Sequence, residues 1–451
     1  MNPASKTMYQ AVEAYQDTIL EAERYIWKHA ESGYREWNTH AYMKEKFEAL
    51  GYTVTEAGNI PGFYTDVDTG IPGPTLGIFA ELDSLIIPTH PECVPDTGAV
   101  HACGHNCQCA AMLGIAAGLK APGALDGLCG KIRLLVVPAE ELIEISYRRS
   151  LKEQGIIRYY GGKQEFMHRG YLDGVDLSMM VHTTSAGKLT CGKGSNGCVT
   201  KEAIFIGKSA HAGGSPHAGI NALYAANNAM QAANALRETF REKDYIRFHP
   251  IITQGGGAVN AIPDHVMVES YVRGASMEAI ALENEKVNRA FAGAAAAMGC
   301  RLYLKDEHGY APRLNDATMK DIYRQIGKEF FAEDEMNLGD SWGTGCSDMG
   351  DISCVMPAIH PNIGGAAGTG HGSNYCIVDP ITACVTSAKL QCGVTAELLA
   401  NGAEKAKEVI AKAVVPYKSI REYLNWVDKN CFEGECVSYN EDGTITLTYK
   451  N

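Results

Sequence analysis

Several features that mark other protein classes are missing from this sequence of 451 residues. No apolar run approaches the roughly 18–20 residues that a membrane-spanning helix needs, so no membrane partner is expected. No basic patch alternates with aromatic residues, and the formal net charge is −13. Because nucleic-acid binding depends on positive charge, nucleic acid is not an expected partner either. Repeats and low-complexity tracts are also absent.

Residues 1–27 lack the apolar core of a secretory signal peptide. They are charged and follow a helical pattern, which predicts a cytoplasmic protein. Fifteen cysteines in a chain without a secretion signal are expected to be mostly reduced thiols rather than a disulfide framework. Cys103, in the stretch VHACGHNCQCAAMLGIAAGL at 100–119, is therefore interpreted as a thiol.

The hydrophobic pattern predicts two kinds of domain. Continuous apolar runs at 75–82 and 131–137 favour strands that are buried on both faces, and a helical pattern at 107–119 lies between them. Such alternation predicts an α/β layer structure. From about residue 195 the predicted order is β-α-β-β-α-β, which is that of a ferredoxin-like (split βαβ) unit. After about residue 312 the α/β pattern returns.

The predicted α/β fold is therefore one domain interrupted by another. The α/β domain is expected to comprise residues 1–191 and 313–415. The inserted ferredoxin-like domain is expected at 192–312, and residues 416–451 are expected to form a small C-terminal appendage. This appendage is predicted to contain a hairpin turn at Asp442-Gly443.

Side chains that bind metals collect where the predicted strands end. In open α/β sheets, ligands bind at the carboxyl ends of the strands. The side chains in question are Asp83, Cys103, His105, Glu140, Glu141, His182 and His371. Cys and His two residues apart suit Zn, Mn, Co or Ni. This inventory predicts a metal site.

Cys103 has two other interpretations. A structural zinc site needs a second Cys/His pair, and none appears at a suitable spacing. Cys107 and Cys109 lie on the following helix and are predicted to pack. A Cys–His nucleophilic pair stays open, with His182 or His371 as its base.

These stretches together resemble a known family. HACGHN is followed by PAEE, a His after GVD, GKSAHAGGSPHAGINA, GGGAVNAIPD and a late loop His. This order resembles the co-catalytic metallopeptidases of clan MH, peptidase family M20, which include aminoacylase and carboxypeptidase G relatives. It is most similar to the branch of indole-acetyl-amino-acid hydrolases, aminobenzoyl-glutamate hydrolase and beta-alanyl-lysine dipeptidase, and Asn106 matches the latter two. The resemblance covers about residues 10–410.

The resemblance implies a fold and a site. The fold is a three-layer α/β/α metal-binding domain with an inserted ferredoxin-like lid domain, through which a homodimer forms. Glu140 matches the general base, and Asp83 matches a carboxylate that orients a ligand. His211 matches a lid histidine that reaches the active site of the partner subunit, and Asn260 matches a lid residue near the substrate. The implied ligands of one or two divalent ions (Zn, Mn, Co or Ni) are Cys103, His105, Glu141, His182 and His371, with His360 as the alternative to His371.

One departure from the family pattern is the segment LIEISYRRSLKEQGIIRYY, which follows PAEE at 142–160. Its residues Arg148, Arg149, Arg158 and Tyr159 either bind a substrate carboxylate or aromatic group, or belong to a solvated helix and loop. The sequence leaves both interpretations open. Arg273, at the end of a predicted lid strand, is a further candidate for binding a carboxylate.

The predicted function is that of a metal-dependent amidohydrolase or peptidase. It would cleave the amide bond of an N-acyl amino acid or a dipeptide-like substrate, with Glu140 as general base. One alternative is an aminohydrolase (deaminase) that acts on an aromatic or heterocyclic amine with the same metal site. Further alternatives are a non-catalytic ligand-binding protein on this scaffold and a thiol-based enzyme. Release of ammonia would distinguish the deaminase.

Overall fold

A computed structural model describes residues 2–450 of the chain. These residues form two compact units. The first unit contains the residues up to Gly194, together with Arg313–Trp342 and Ser347–Ile420. The second unit contains Ser195–Pro312, Gly343–Cys346 and the residues from Arg421 onward. The predicted α/β fold with an inserted domain is confirmed.

A six-stranded sheet forms the centre of the first unit. Its strands, in spatial order, are Thr55–Glu56, Phe63–Asp68, Lys131–Val137, Thr75–Glu81, Leu177–Met179 and Ala358–Ile359. The strands at 75–81 and 131–137 pair in parallel, with Ile78 opposite Leu134. Their continuous apolar runs are buried, as expected for strands that are covered on both faces.

Helices cover this sheet. Helix His105–Lys120 packs on strand Thr75–Glu81 and is buried from His105 to Leu119. It is covered in turn by three further helices, Pro3–Ala14, Gln16–Lys28 and Ser387–Leu399. The other helices of this unit are Trp37–Ala49, Ile145–Glu153, Gly162–His168, Ala317–Gly327, Met349–Ser353 and Glu404–Lys412. The pattern of residues 8–50 predicts a long helix and then a shorter one, but the structure breaks the first at Tyr15 and so has three helices in this segment.

The second unit is an antiparallel sheet with two long helices. Its strands, in spatial order, are Arg247–Gln254, His265–Gly274, Gly197–Ile206, Arg301–Tyr310, Phe432–Tyr439 and Ile445–Leu447. Helices Ala222–Ala235 and Met277–Ala297 pack against each other and against this sheet. The β-α-β-β-α-β order that the sequence predicts is present.

Two details of the sequence prediction are wrong in this unit. The Ala-rich pattern of residues 216–240 predicts one long helix, but Pro216 opens a 3₁₀ turn and the α-helix runs only over Ala222–Ala235. It begins where the Asn221 side chain accepts hydrogen bonds from two backbone amides. The predicted appendage at 416–451 is not separate, because strand Phe432–Tyr439 pairs with strand Arg301–Tyr310 and extends the sheet. Its predicted hairpin turn is present, with a φ of 83° at Gly443.

Two further expectations concern the whole chain. All fifteen cysteines are free thiols, and Cys107 and Cys109 are buried, as predicted. The described residues include no helix that is long and apolar enough to cross a lipid bilayer.

Candidate metal centre

The ends of several strands and one helix of the first unit carry the predicted metal ligands. Helix His105–Lys120 begins directly after Gly104, which has a φ of 86°. A Cβ at Gly104 would lie 2.7 Å from the Tyr375 hydroxyl oxygen, so both the conformation and the space require glycine. This turn places Cys103 and His105 on either side of the helix start.

Five of the predicted ligands form two groups that share Cys103. One group contains Cys103, His105 and His182, and the other contains Cys103, Glu141 and His371. Within each group the potential ligand atoms lie within 4.8 Å of one another. Cys103 Sγ lies 3.3 Å from His182 Nε2, and Glu141 Oε1 lies 3.3 Å from His371 Nε2. We call these five residues the ligand cluster.

Asp83 connects the two groups of the ligand cluster. Its Oδ1 lies 3.3 Å from Nδ1 of His105, and its backbone oxygen lies 2.9 Å from the same nitrogen. Its Oδ2 accepts a hydrogen bond of 2.8 Å from the backbone N–H of Glu141. The fully buried Asp83 carboxylate therefore sets the orientation of the His105 ring and fixes the backbone that carries Glu141.

Glu140 belongs to a third group, with Glu81 and His105. Its Oε2 lies 4.0 Å from His105 Nε2. Burial raises the pKa of Glu140 well above its usual value, and the negative charges of Glu81, Glu141 and Asp348 raise it further. A carboxyl group with a raised pKa exchanges protons closer to neutral pH, as a general base requires.

The protein environment also shifts the titration of the ligand cluster. Burial, reinforced by Glu141, raises the pKa of the Cys103 thiol. Burial, reinforced by His105, lowers the pKa of His182 to about 4, so its imidazole is neutral and available as a ligand at neutral pH. Burial would lower the pKa of His105, but the neighbouring Glu81 carboxylate outweighs it and raises that pKa.

Buried polar atoms without a well-formed hydrogen bond support a metal at this position. His105 Nε2, Glu141 Oε1 and Asp83 Oδ1 are buried and make no hydrogen bond of regular geometry, although each faces an ion-pair partner at 3.1–3.3 Å. A buried polar group whose hydrogen bonds are not made costs about 1–3 kcal/mol. Two of these atoms are potential ligand atoms of the cluster, and a mixed Cys, His and carboxylate donor set suits several first-row divalent ions. The residues present therefore fit one or two divalent metal ions.

A buried ionic network that was not predicted supports the centre. The Lys163 ammonium is fully buried and donates to Glu81 Oε1 and to Asp348 Oδ1, both at 2.5 Å. Burial would raise the pKa of Glu81, but Lys163 outweighs it and lowers that pKa to about 2. The network continues to the ligand cluster, because Glu81 Oε2 lies 3.1 Å from His105 Nε2.

The sequence contained one signal for this network. Glu81 stands two residues before Asp83, so both project from the same side of an extended backbone. Nothing marked Lys163, because lysine is rarely fully buried and a pattern-based analysis assigns it to the surface.

Two of the four residues singled out in segment 142–160, Arg148 and Tyr159, fit neither interpretation, whereas Arg149 is half-buried. Arg148 is fully buried and therefore neither solvated nor available to a substrate. Its guanidinium donates to the backbone oxygens of Ala139 (3.3 Å), Tyr160 (2.7 Å) and Glu141. Tyr159 is buried as well, whereas Arg158 is exposed and its Nε donates to the Tyr159 hydroxyl at 3.3 Å.

His360, the alternative to His371, has another partner. It is buried, and its Nδ1 is bonded to the guanidinium of Arg313. Its ring centroid lies 5.8 Å from that of His182, so it packs beside the cluster. His371 is the histidine that lies beside Glu141, and its φ of 64° is held by a hydrogen bond from its N–H to the Ala102 oxygen.

Three predicted residues lie in the second unit. His211 is exposed, and its Nδ1 accepts hydrogen bonds from the backbone of Gly213 (3.1 Å) and Gly214 (3.0 Å). Asn260 is exposed beside it, and its backbone oxygen accepts from Ala212 N. Arg273 is half-buried, with Nη1 3.4 Å from Cys346 Sγ.

Comparison with known proteins adds an independent line of evidence. Residues 193–298 match the model of the peptidase dimerisation domain. The chain is 30% identical to the human Xaa-Arg dipeptidase over 361 residues. This alignment covers 75% of this chain and 74% of the dipeptidase. It is 27% identical to the N-acetyl-L-cysteine deacetylase of Bacillus subtilis, over 68% of this chain and 71% of that protein. A solved dinuclear metal-binding peptidase of the M20 family, also from B. subtilis, superposes with a TM-score of 0.63 at 20% identity, covering 86% and 99% of the two chains.

Proposed function

The chain belongs to peptidase family M20, and from this premise we propose that it is a metal-dependent amidohydrolase with Glu140 as general base. Its substrate would be an N-acyl amino acid or a dipeptide, hydrolysed at the C–N amide bond. The names of its relatives, a dipeptidase and a deacetylase of an amino acid, support this substrate class.

The observation that carries the proposal is the sharing of Cys103 between two groups of potential ligands beside Glu140. Either group supplies three donors for a divalent ion, and the groups together supply five residues for two ions. A site built only for structure would have closed coordination, whereas three ligands per ion leave a position open for water or substrate.

The chain's own residues have separate roles in the proposed reaction. A divalent ion at the ligand cluster would polarise the scissile carbonyl and acidify the attacking water. Glu140 takes one proton from that water and delivers it to the nitrogen of the leaving amine, so the carboxylate is regenerated in each turnover. Asp83 keeps His105 and Glu141 in place throughout, because its backbone oxygen contacts His105 Nδ1 and its carboxylate accepts from the Glu141 N–H.

We assign the candidate residues of the second unit to the substrate. His211 would reach the active site of the partner subunit, as the family resemblance implies, and donate a hydrogen bond to the oxyanion that forms at the carbonyl, where a fixed donor stabilises the transition state most. Asn260 and Arg273 would bind the remainder of the substrate, Arg273 through a carboxylate group. Arg158 of the first unit is exposed and stays a candidate for a second carboxylate contact.

We propose that the protein is a homodimer through its second unit, as the dimerisation-domain match suggests. One edge of the sheet in this unit is occupied by the short strand Ile445–Leu447. The opposite edge strand, Arg247–Gln254, is longer, and its Ile251 is 63% exposed. An open apolar edge of this kind is a common pairing surface. A cytoplasmic location is proposed from the fifteen free thiols.

One experiment tests the function. Protein purified without chelator is analysed for metal content and assayed on a panel of N-acyl amino acids and dipeptides, before and after chelator treatment and with Mn²⁺, Zn²⁺, Co²⁺ or Ni²⁺ added back. We expect one to two ions per chain and metal-dependent release of an amino acid. Release of ammonia instead would favour the deaminase, and metal-free protein that stays inactive after add-back would contradict the proposal.

A further inference from the structure

The turn that carries Glu140 and Glu141 has an unfavourable backbone conformation. Residues 138–141, which we call the glutamate turn, follow strand Lys131–Val137, and Ala139 within it has a φ of 58°. Residues with a side chain rarely adopt this left-handed conformation, and they do so where the surroundings enforce it. The surroundings of the glutamate turn therefore determine where the two carboxylates lie.

Two buried side chains hold the turn. Glu36 accepts a hydrogen bond of 2.7 Å from the backbone N–H of Ala139 through its Oε1. Arg148 donates to the Ala139 oxygen from Nη1 at 3.3 Å and to the Glu141 oxygen from Nη2. Both side chains are fully buried. The backbone groups on both sides of Glu140 are thus bound by the buried side chains of Glu36 and Arg148.

The burial of the Arg148 guanidinium is explained by its hydrogen bonds to backbone oxygens. A guanidinium that is removed from water costs several kcal/mol unless its donors are satisfied, and the hydrogen bonds described for it end on backbone oxygens, with Tyr160 as the third acceptor at 2.7 Å. It comes from helix Ile145–Glu153, which belongs to the segment that departs from the family pattern. A planar fork with several donors can bridge two carbonyl oxygens of one turn, whereas a lysine ammonium cannot span them in the same way.

We propose that Arg148 is a positioning residue of the active site: by binding the backbone oxygens of Ala139 and Glu141, it fixes the glutamate turn and thereby the positions of the Glu140 base and the Glu141 ligand. This inference rests on the proposed function of the ligand cluster. Arg148, within segment 142–160, then supports the two carboxylates and does not bind the substrate.

The proposal predicts a specific loss. In Arg148→Met the turn keeps its sequence but loses the two hydrogen bonds from the guanidinium. Glu140 and Glu141 are then expected to shift relative to the other ligands. A displacement of about 1 Å at a catalytic group costs about 100-fold in rate, and we expect this loss in kcat with KM within about threefold. Arg148→Lys keeps the charge and is expected to recover only part of kcat.

Arg169 offers a matched control. Its guanidinium also donates to backbone oxygens, those of Ala57 and Ile156, both at 2.7 Å, but it contacts no residue of the glutamate turn among these partners. Arg169→Met is expected to lower the melting temperature while leaving kcat within about twofold of wild type. Circular dichroism checks that each variant is folded.

A second readout separates this proposal from the proposed function. Calorimetric titration of the chelator-treated variants with Mn²⁺ alone is expected to show affinity that is about tenfold weaker for Arg148→Met and unchanged for Arg169→Met, since residues that hold a ligand in place affect affinity by about 10–100-fold. If the wild type is inactive on the whole panel, the proposed function fails and this titration still decides the role of Arg148.

Three outcomes would overturn the inference. The first is a folded Arg148→Met protein with wild-type kcat or, in an inactive wild type, unchanged Mn²⁺ affinity. The second is an equal loss in Arg169→Met, which would indicate a general effect on stability. The third is failure of both Arg148 variants to fold, which would make Arg148 a residue of the fold and not of the site.

Discussion

Two fully buried lysines, one in each unit, show how similar side chains can differ in role. Lys163 in the first unit donates to Glu81 and Asp348. Lys201 in the second unit donates to Asp306 and to Asn288. Both ammonium groups are surrounded by satisfied acceptors, which a buried charge requires.

The two lysines differ in what their partners touch. Glu81 contacts both Lys163 and His105, and it thereby connects Lys163 to the ligand cluster. Asp306, the partner of Lys201, accepts further hydrogen bonds from Asn284 and Asn288, both at 2.7 Å, and these asparagines belong to helix Met277–Ala297. Lys201 therefore joins a helix to a sheet, whereas Lys163 joins the sheet to the metal centre. A buried charge alone does not identify a functional site; the contacts of its partners do.

The largest expected difference in kcat is between the loss of Glu140 in the first unit and the loss of Asp306 in the second. Glu140→Gln removes the proposed base, and we expect kcat to fall by about 10³-fold, within the range that general bases contribute. Asp306→Asn removes a carboxylate whose partners, Lys201, Asn284 and Asn288, all lie in the second unit, so kcat should stay within about twofold of wild type while stability falls. Steady-state kinetics on the best substrate of the panel checks both, and unchanged turnover in Glu140→Gln would remove Glu140 from the mechanism.

Removing each lysine sharpens the comparison. Lys163→Met and Lys201→Met each leave buried carboxylates without their cation, and each is expected to lower the free energy of unfolding by about 3–5 kcal/mol. Only Lys163→Met should also lower kcat, because Glu81 then loses the partner that fixes it beside His105. Urea unfolding and kinetics are measured on both proteins; equal kinetic losses would mean that Lys163 acts only on stability.

Metal binding should stabilise one unit and not the other. At a Mn²⁺ concentration of about 100 times Kd, the bound state gains about 2.7 kcal/mol. Hydrogen exchange read by mass spectrometry should show this protection around residues 101–106 and 138–142 of the first unit. Strand His265–Gly274 of the second unit is the internal control, and protection that is uniform over both would contradict a local site.

The two lysines should also differ in pH dependence. Burial lowers the pKa of Lys201, so between that pKa and the usual 10.5 the unfolded chain binds more protons and the stabilisation from Lys201 increases with pH. Burial would lower the pKa of Lys163 too, but Asp348 and Glu81 outweigh it and raise the pKa, so its stabilisation is complete below 10.5 and is lost only at higher pH.

From pH 7 to 10, the stability cost of Lys201→Met is therefore expected to grow, while that of Lys163→Met stays constant. Urea unfolding of both variants and wild type at intervals of pH measures the two costs. Parallel curves for the two variants would show that their environments do not differ as described.

The sequence predicted the fold and the ligand cluster well, for physical reasons. Continuous apolar runs identified the buried strands. The alternation of apolar and polar residues in VTKEAIFIG at 199–207 predicts a strand of the second sheet, because burial on one face gives a period of two. Donor residues at strand ends were expected to converge, and Cys103, His105, Glu141, His182 and His371 do lie together. The family resemblance supplied the roles that periodicity cannot give.

What the sequence did not reveal depends on contacts that only tertiary packing creates. Arg148 was assigned to a substrate contact or to solvent, because a basic helix is usually exposed; its burial follows from three carbonyl oxygens that only the folded chain brings together. The strand Phe432–Tyr439 was set apart because no local pattern indicates which edge a strand joins. Both errors concern partners that are remote in sequence or set by tertiary packing.

The most direct test of the central claim is whether Cys103 binds the metal. Chelator-treated wild type and Cys103→Ser are titrated with Co²⁺, and the near-ultraviolet absorption that a thiolate ligand gives to this ion is recorded. The other fourteen cysteines remain in both proteins, so the difference reports Cys103 alone. We predict a saturable band in the wild type that is absent in Cys103→Ser. An identical band in both proteins, or none in either at saturating Co²⁺, would contradict a metal centre at Cys103.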